Sequence, residues 1–239
     1  MKPGLSPELF ELPGGVLPVF STGDWRRGDP ALRCAAVVVH GRGRNADVYR
    51  DVMAASARKA RADCLILAPH FPNEEDAPPH GFAPEMLRWN GTGWMGGDAA
   101  IAPAPVSSFA VLDAILARLA DRARFPALER ILVVGHSGGG QVVQRHAILT
   151  GMDDRLRFIV ANPSSYAYFS RDRWKYGMEG RPDFGTAWPV AELEARYVAR
   201  DVVYLLGQAD CDPDHPALDR SPPAMAQGEN RLERGRNYV

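Results

Sequence analysis

Short, continuously apolar runs recur along the chain. Five of them are rich in β-branched residues, a pattern typical of strands buried on both faces of a parallel sheet. These runs are 35–39, 65–68, 131–134, 158–161 and 202–206. An earlier pair, 9–12 and 16–20, is split by Pro13-Gly14-Gly15 and predicts a hairpin at the edge of the sheet.

Apolar residues repeat every three or four positions between these strands, which predicts amphipathic helices. The predicted helices are 47–62, 107–124, 138–149 and 190–199. A strand and then a helix, repeated along the chain, predict an α/β fold with a mostly parallel central sheet and helices on both faces. The segment 231–238 has a helical pattern, and no closing strand follows it. We therefore expect the C-terminal strand and helix of such a fold to be missing.

Two stretches interrupt the alternation, at about 69–105 and 163–189. Both are rich in proline, glycine and aromatic residues. Long irregular segments within a compact domain are usually functional or disordered, and the aromatic content argues against disorder. We therefore interpret residues 1–239 as a single domain with two ordered excursions.

Composition narrows the possible partners. The 239 residues carry a net charge of −1, which argues against nucleic acid or an anionic membrane as the main partner. Three cysteines do not form a disulfide framework. No window reaches the roughly 20 apolar residues of a membrane-spanning helix. Residues 1–15 lack the apolar core of a signal peptide, so we expect a cytoplasmic protein. The sequence implies no metal or organic cofactor, and it does not determine the oligomeric state.

The sequence Gly135-His136-Ser137-Gly138-Gly139 joins a predicted strand to a predicted helix. A serine held on such a tight turn needs small residues two positions before and after it, and both positions are glycine. The turn would lift the Ser137 hydroxyl above the sheet edge and place the positive end of a helix beneath it. We predict that Ser137 is a nucleophile.

The loop after the strand 35–39 offers a second part of such a site. An acyl-transfer site needs two N–H donors for an oxyanion, and one would be the amide of Gly138. The flexible loop at Gly41 to Gly43 could supply the other, with Arg42 as the preferred donor and Gly41 beside it. We interpret His40 as a buried histidine that holds this loop by hydrogen bonds, in preference to a catalytic role.

An acid follows the last predicted strand, at Asp210. It could orient a histidine and stabilise its cation, and Asp212 and Asp214 are rivals for that role. The spacing of the three acids is similar to the start of a calcium loop. His215 and Ser221 stand where such a loop needs glycine and glutamate, so we do not expect a calcium site.

Together, the His40-Gly41 loop, the Gly135 to Gly139 turn and the Gly207-x-x-Asp210 ending resemble the α/β-hydrolase superfamily, in its serine-esterase-like branch. The resemblance covers roughly residues 33–214 and implies an α/β-hydrolase fold. It matches Ser137 to the nucleophile and Asp210 to the acid. It also implies that the two excursions form the pocket wall and a small lid. We assign His40, Trp89, Trp94 and His136 to this substrate pocket.

The histidine that the resemblance requires has no good candidate. After Ser137 the sequence contains only His146, which lies well along the following helix, and His215, which is too near the acid. The chain is then either a fragment, which we favour, or a degenerate hydrolase with at most residual activity. The predicted function is hydrolysis of a small-molecule ester, or less favourably an amide, through an acyl-Ser137 intermediate. The alternatives are a non-catalytic binding protein and a peptidase.

Overall fold

The computed structural model describes residues 7–78, 81–152, 155–184 and 188–239. Residues 79–80 and 185–187, which belong to the two predicted excursions, lie outside the described residues. So do residues 1–6 of the segment that argued against a signal peptide. Across the described ranges, no helix combines the length and apolar character needed to cross a bilayer.

The core of the molecule is a seven-stranded sheet. Its strands are β1 (Glu8–Leu12), β2 (Gly15–Ser21), β3 (Cys34–Val39), β4 (Leu65–Pro69), β5 (Arg130–His136), β6 (Leu156–Ala161) and β7 (Val202–Leu205). Their spatial order is β1-β2-β4-β3-β5-β6-β7. The hairpin β1-β2 pairs antiparallel with β4, and the five strands from β4 to β7 are parallel. The predicted edge hairpin and the mostly parallel sheet are both confirmed.

Six helices accompany the sheet in the described part of the chain. They are α1 (Ala46–Lys59), α2 (Ser108–Ala120), α3 (Gly138–Leu149), α4 (Val190–Val198), α5 (Pro222–Met225) and α6 (Arg231–Tyr238). Helix α2 was expected to run to residue 124 but ends at Ala120. The cause is local, because the Asp121 carboxylate accepts a hydrogen bond from the Ala123 amide at 2.9 Å and offers the backbone an alternative to the helix.

Alternate residues of the central strand β3 point to the two faces of the sheet. Ala35, Val37 and Val39 join the main core, to which α2 and α3 contribute their buried faces. Ala36 and Val38 join a smaller cluster with Ala54 of α1. Helices therefore cover both faces, as predicted. The parallel strands β3 and β5 end at the same edge, which is where the segments containing Gly41 and Ser137 begin.

Candidate active site

The turn between β5 and α3 has a strained backbone at Ser137. This residue has φ 56° and ψ −120°, in the region that side-chain-bearing residues rarely adopt. Its amide donates a hydrogen bond to the carbonyl of Ala161 in β6 at 2.9 Å, and its carbonyl accepts from Gln141 at 3.1 Å. The neighbouring strand and the first turn of α3 therefore hold the bend. Its side chain is partly exposed and lines a cavity.

Both glycines that flank the bend are required by close backbone contacts. A Cβ atom added to Gly135 would lie 2.1 Å from the carbonyl oxygen of Gly139. One added to Gly139 would lie 2.1 Å from the carbonyl oxygen of Val39 in β3. These contacts are with backbone atoms of the sheet and of α3, which cannot move aside cheaply. Any larger residue at either position would push α3 away from the sheet.

Two backbone amides come close together beside this bend. A Cβ atom built on Gly138 would lie 3.0 Å from the amide nitrogen of Arg42, so the loop after β3 touches the first residue of α3. The loop is folded by a hydrogen bond from the Arg44 amide to the Gly41 carbonyl, 3.0 Å long. Within the described residues, neither the Gly138 amide nor the Arg42 amide donates a hydrogen bond. Both donors are therefore free for an oxyanion.

His40 lies behind the loop and is completely buried. Its Nδ1 donates to the Gly41 carbonyl at 2.9 Å, and its Nε2 accepts from the Phe71 amide at 3.0 Å. Burial lowers the pKa of His40 to about 3, so the ring is neutral at physiological pH. His40 thus ties the loop after β3 to the segment after β4 by hydrogen bonds.

The structure corrects three of the predicted pocket residues. His40, Trp89 and Trp94 are fully buried and do not line the cavity at Ser137. The Trp94 ring packs edge-on against His40, with the ring centroids 4.6 Å apart. The Trp89 indole donates to the Asp98 carbonyl at 2.9 Å. The apolar area of these rings makes them core residues, which support the loops of the site from behind.

Within the described residues, neither His136 nor Asp210 forms a side-chain hydrogen bond with Ser137. His136 is exposed, and its Nδ1 lies 3.5 Å from the hydroxyl of Tyr49. Partial desolvation of its ring lowers the pKa of His136. Asp210 forms an ion pair with the largely buried Arg231 at 3.0 Å. Its rivals Asp212 and Asp214 are exposed.

Among the described histidines, none hydrogen bonds to Ser137. His146 is buried within α3 and donates from Nε2 to Asp113 at 2.8 Å. The Nδ1 of His215 accepts from the Ala217 amide at 3.1 Å. No group of three or more potential metal ligands occurs in the described ranges.

The cavity at Ser137 has a volume of about 380 Å³. It is lined by Arg42, Thr92, Met95, Ser137, Gly138, Gln141, Arg145, Ser164, Lys175, Tyr176, Ala217, Leu218, Asp219 and Arg220. Both irregular excursions contribute to it, through residues such as Met95 and Tyr176. The segment after β7 closes the remaining side.

The polar side chains of this cavity, above all Gln141 and Arg145, were not among the predicted site residues. A signal was available, because Ser137, Gln141 and Arg145 are four residues apart and so lie on one side of α3. The apolar positions that predict this helix carry no information about which side chains its polar positions bring together. Lys175 and Asp219 come from distant segments, and no sequence spacing indicates that they meet.

No family model matches the chain, and a search of the curated proteins finds no match. The chain is similar to the solved structure of poly(aspartic acid) hydrolase-1 from Sphingomonas sp. KT-1, with 27% identity and a TM-score of 0.74 over 100% of this chain and 84% of that one. It is also similar to LpqC, a poly(3-hydroxybutyrate) depolymerase from Bordetella parapertussis, with 25% identity and a TM-score of 0.67 over 94% of this chain and 70% of that one.

Proposed function

Because the chain belongs to the α/β-hydrolase superfamily, we propose that it is a serine hydrolase in which Ser137 attacks the carbonyl carbon of an ester, or less favourably an amide. The two similar structures are a hydrolase and a depolymerase, which supports hydrolysis as the reaction class. In this proposal Ser137 forms a covalent acyl intermediate. The amides of Gly138 and Arg42, with Gly41 shaping the loop, donate to the oxyanion.

The observation that carries the proposal is the strained bend at Ser137. A positive φ at a non-glycine residue costs on the order of 1–3 kcal/mol, and such strain persists only where the surroundings enforce it. Here the glycine contacts and the hydrogen bond to Ala161 enforce it. Ser137 lines the cavity, and the free amides of Gly138 and Arg42 come close together beside the bend. A glycine-rich turn whose only role was close packing would need neither the cavity nor the free amides.

The proposal still needs a base to accept the Ser137 proton. Asp210 is the proposed acid, and it is held by Arg231 and by no histidine of the described part of the chain. A serine hydroxyl without a base is a weak nucleophile. We therefore expect these 239 residues to react slowly, with rates supported by the oxyanion donors and by substrate binding.

A fluorophosphonate probe tests the nucleophile directly, because it phosphonylates an activated serine and leaves a mass label. We expect labelling at Ser137, detected by peptide mass spectrometry, and its loss in Ser137→Ala. Ser170→Ala is the matched control, since Ser170 is a surface serine bonded to Asp172 and lies outside the cavity. Labelling of other serines only, in a protein with an intact circular dichroism spectrum, would reject the proposal.

The choice of acid is tested by Asp210→Asn and Asp212→Asn. We expect the labelling rate of Ser137 to fall in the first variant and to stay unchanged in the second. Asp210→Asn also leaves Arg231 without its ion-pair partner, so its free energy of unfolding must be measured in parallel. An equal loss of labelling in both variants would argue against Asp210.

A second candidate function is non-catalytic binding in the same cavity. The specific observation in its favour is that no described histidine forms a hydrogen bond with Ser137. This alternative predicts ligand binding without probe labelling and without release of p-nitrophenol from p-nitrophenyl esters. Cleavage of peptide anilides in preference to esters would instead indicate a peptidase.

A further inference from the structure

The cavity beside Ser137 has an uneven distribution of charge. Five charged side chains line it, and four of them are cationic: Arg42, Arg145, Lys175 and Arg220. The fifth is Asp219. The whole chain has a net charge of −1, so this local excess of positive charge does not follow from composition. A cleft lined by one sign of charge concentrates ligands of the opposite sign.

Arg145 is the most informative of these residues, because it is only 2% exposed. Its Nη1 donates to the Met95 carbonyl at 3.0 Å and its Nη2 to the Lys175 carbonyl at 2.8 Å. Nη2 also reaches the Ser165 hydroxyl at 3.2 Å. All three acceptors are uncharged. Nε is buried without a partner, and no carboxylate of the described residues pairs with the guanidinium.

A buried guanidinium without an anionic partner is unusual, since removing a charge from water costs several kcal/mol. Burial lowers the pKa of Arg145 to about 10, and the charges of Asp219 and Asp98 act in the opposite direction without pairing with it, so the guanidinium is protonated at neutral pH. Burying an unpaired charge destabilises the free protein, and an anion entering the cavity would relieve that cost. The Arg145 backbone lies about 12 Å along α3 from Ser137, at eight residues of 1.5 Å each. Gln141 lies between them on the same side.

The other cations are already paired or lie near the surface. Lys175 contacts Asp98 at 3.5 Å, and Arg220 contacts Asp214 at 3.0 Å, with both pairs partly exposed. Asp219 opposes them. Its burial works against ionisation, but hydrogen bonds from the Ser221 amide and the Tyr176 hydroxyl lower its pKa. Asp219 therefore stays ionised but already accepts two hydrogen bonds, and the cavity keeps its positive excess.

We infer that the cavity binds a substrate that carries a carboxylate, with the reacting carbonyl at Ser137 and the carboxylate in the field of Arg145, Lys175 and Arg42. This inference rests on the proposed function for the position of the carbonyl, but not for the binding of the anion. It gives Arg145 two roles. The guanidinium holds the loops of Met95 and Lys175 in place, and it supplies the charge that selects an acidic substrate over a neutral one.

The test compares two ligands of equal size that differ in one charge. Monomethyl glutarate carries a methyl ester and a carboxylate, and methyl glutaramate replaces the carboxylate by a neutral amide. Both are titrated calorimetrically into Ser137→Ala, which cannot form the acyl intermediate. We expect the acid to bind at least about tenfold more tightly, the size of effect typical of a hydrogen bond to a charged group. The preference should shrink as salt is raised from 50 to 300 mM.

Variants in the Ser137→Ala background identify the residue responsible. Arg145→Met should bring the two affinities together, because it removes the buried charge. Arg33→Gln is the matched control, since it also removes one positive charge but lies before β3, at the opposite end of the strands from Ser137. It should keep the preference. Equal affinities in the parent protein, or a preference that survives in Arg145→Met, would overturn the inference.

Arg145→Met could fail to fold, because the guanidinium also holds two loops. The double variant Arg42→Gln/Lys175→Met then decides, as both side chains are at least partly exposed. It should reduce the preference at least about threefold, by weakening the positive field, and an unchanged preference would reject the inference. Competition with inorganic phosphate is the last measurement. Displacement of monomethyl glutarate by phosphate at equal concentration would show a general oxyanion site and overturn the assignment to carboxylates.

The outcomes separate this inference from the proposed function. Carboxylate preference without probe labelling of Ser137 would support an acid-binding cavity and reject the serine hydrolase. Labelling of Ser137 without a preference for the carboxylate would support the serine hydrolase and reject the acid-binding cavity.

Discussion

Acid pH should destabilise the protein through His40. The ring is neutral and fully buried, and burial lowers its pKa from 6.5 to about 3. In the unfolded chain the same ring gains a proton as the pH falls through 6.5. Between those two values the unfolded state therefore binds more protons, so the free energy of unfolding decreases as the pH falls. At pH 5 the loss from this one residue amounts to about 2 kcal/mol relative to pH 7.5.

Urea unfolding at pH 7.5, 6 and 5 measures this loss, with His40→Gln as the comparison. The glutamine carbonyl can accept from the Phe71 amide in place of Nε2 but does not titrate. Burial also lowers the pKa of His70, so the informative quantity is the difference between the two proteins. We expect the advantage of the wild type to shrink by about 2 kcal/mol between pH 7.5 and 5. A constant difference, or one that grows in acid, would refute this reasoning.

Two further predictions concern the glycine contacts and the cysteine pair. Gly139→Ala should lower the free energy of unfolding in urea by at least roughly 1–3 kcal/mol, because its Cβ would meet the Val39 carbonyl. Gly43→Ala is the neutral control, since the nearest atom to its added Cβ, Asn45 Oδ1, lies 3.5 Å away. Iodoacetamide should modify Cys34 at a rate that rises with pH through about 7, since the neighbouring Cys64 thiol lowers the pKa of the Cys34 thiol to about 7. Cys64→Ala should move that midpoint to higher pH, and an unmoved midpoint would exclude the Cys64 thiol as the cause.

Local sequence was sufficient for the elements and for the bend. The apolar runs predicted all seven strands. The signal is strongest for the inner strands β3 and β4, because strands buried on both faces leave no polar positions to obscure the pattern. The glycines around Ser137 predicted a cramped turn, and the contacts of Gly135 and Gly139 show why nothing larger fits. The interpretation of His40 as a buried residue that holds its loop agrees with its hydrogen bonds.

The residues that line the pocket could not be predicted in the same way. Aromatic residues in an irregular segment are equally suited to a pocket wall and to a core, and only packing distinguishes the two. Trp89 and Trp94 proved to be core. The charged side chains that do line the cavity, such as Lys175 and Asp219, are far apart in sequence, and no periodicity connects them.

The sequence by itself therefore determined the succession of strands and of the longer helices along the chain and the tight turn at Ser137, because each depends on residues within a few positions of one another. Only the tertiary structure decided which side chains surround the Ser137 hydroxyl, which aromatic rings are buried, and that Arg145 lies unpaired beside the cavity. Those features depend on where distant loops meet above the carboxyl ends of the strands. The contacts between these loops are fixed by the packing of the whole sheet and its helices, and they leave no local pattern in the chain.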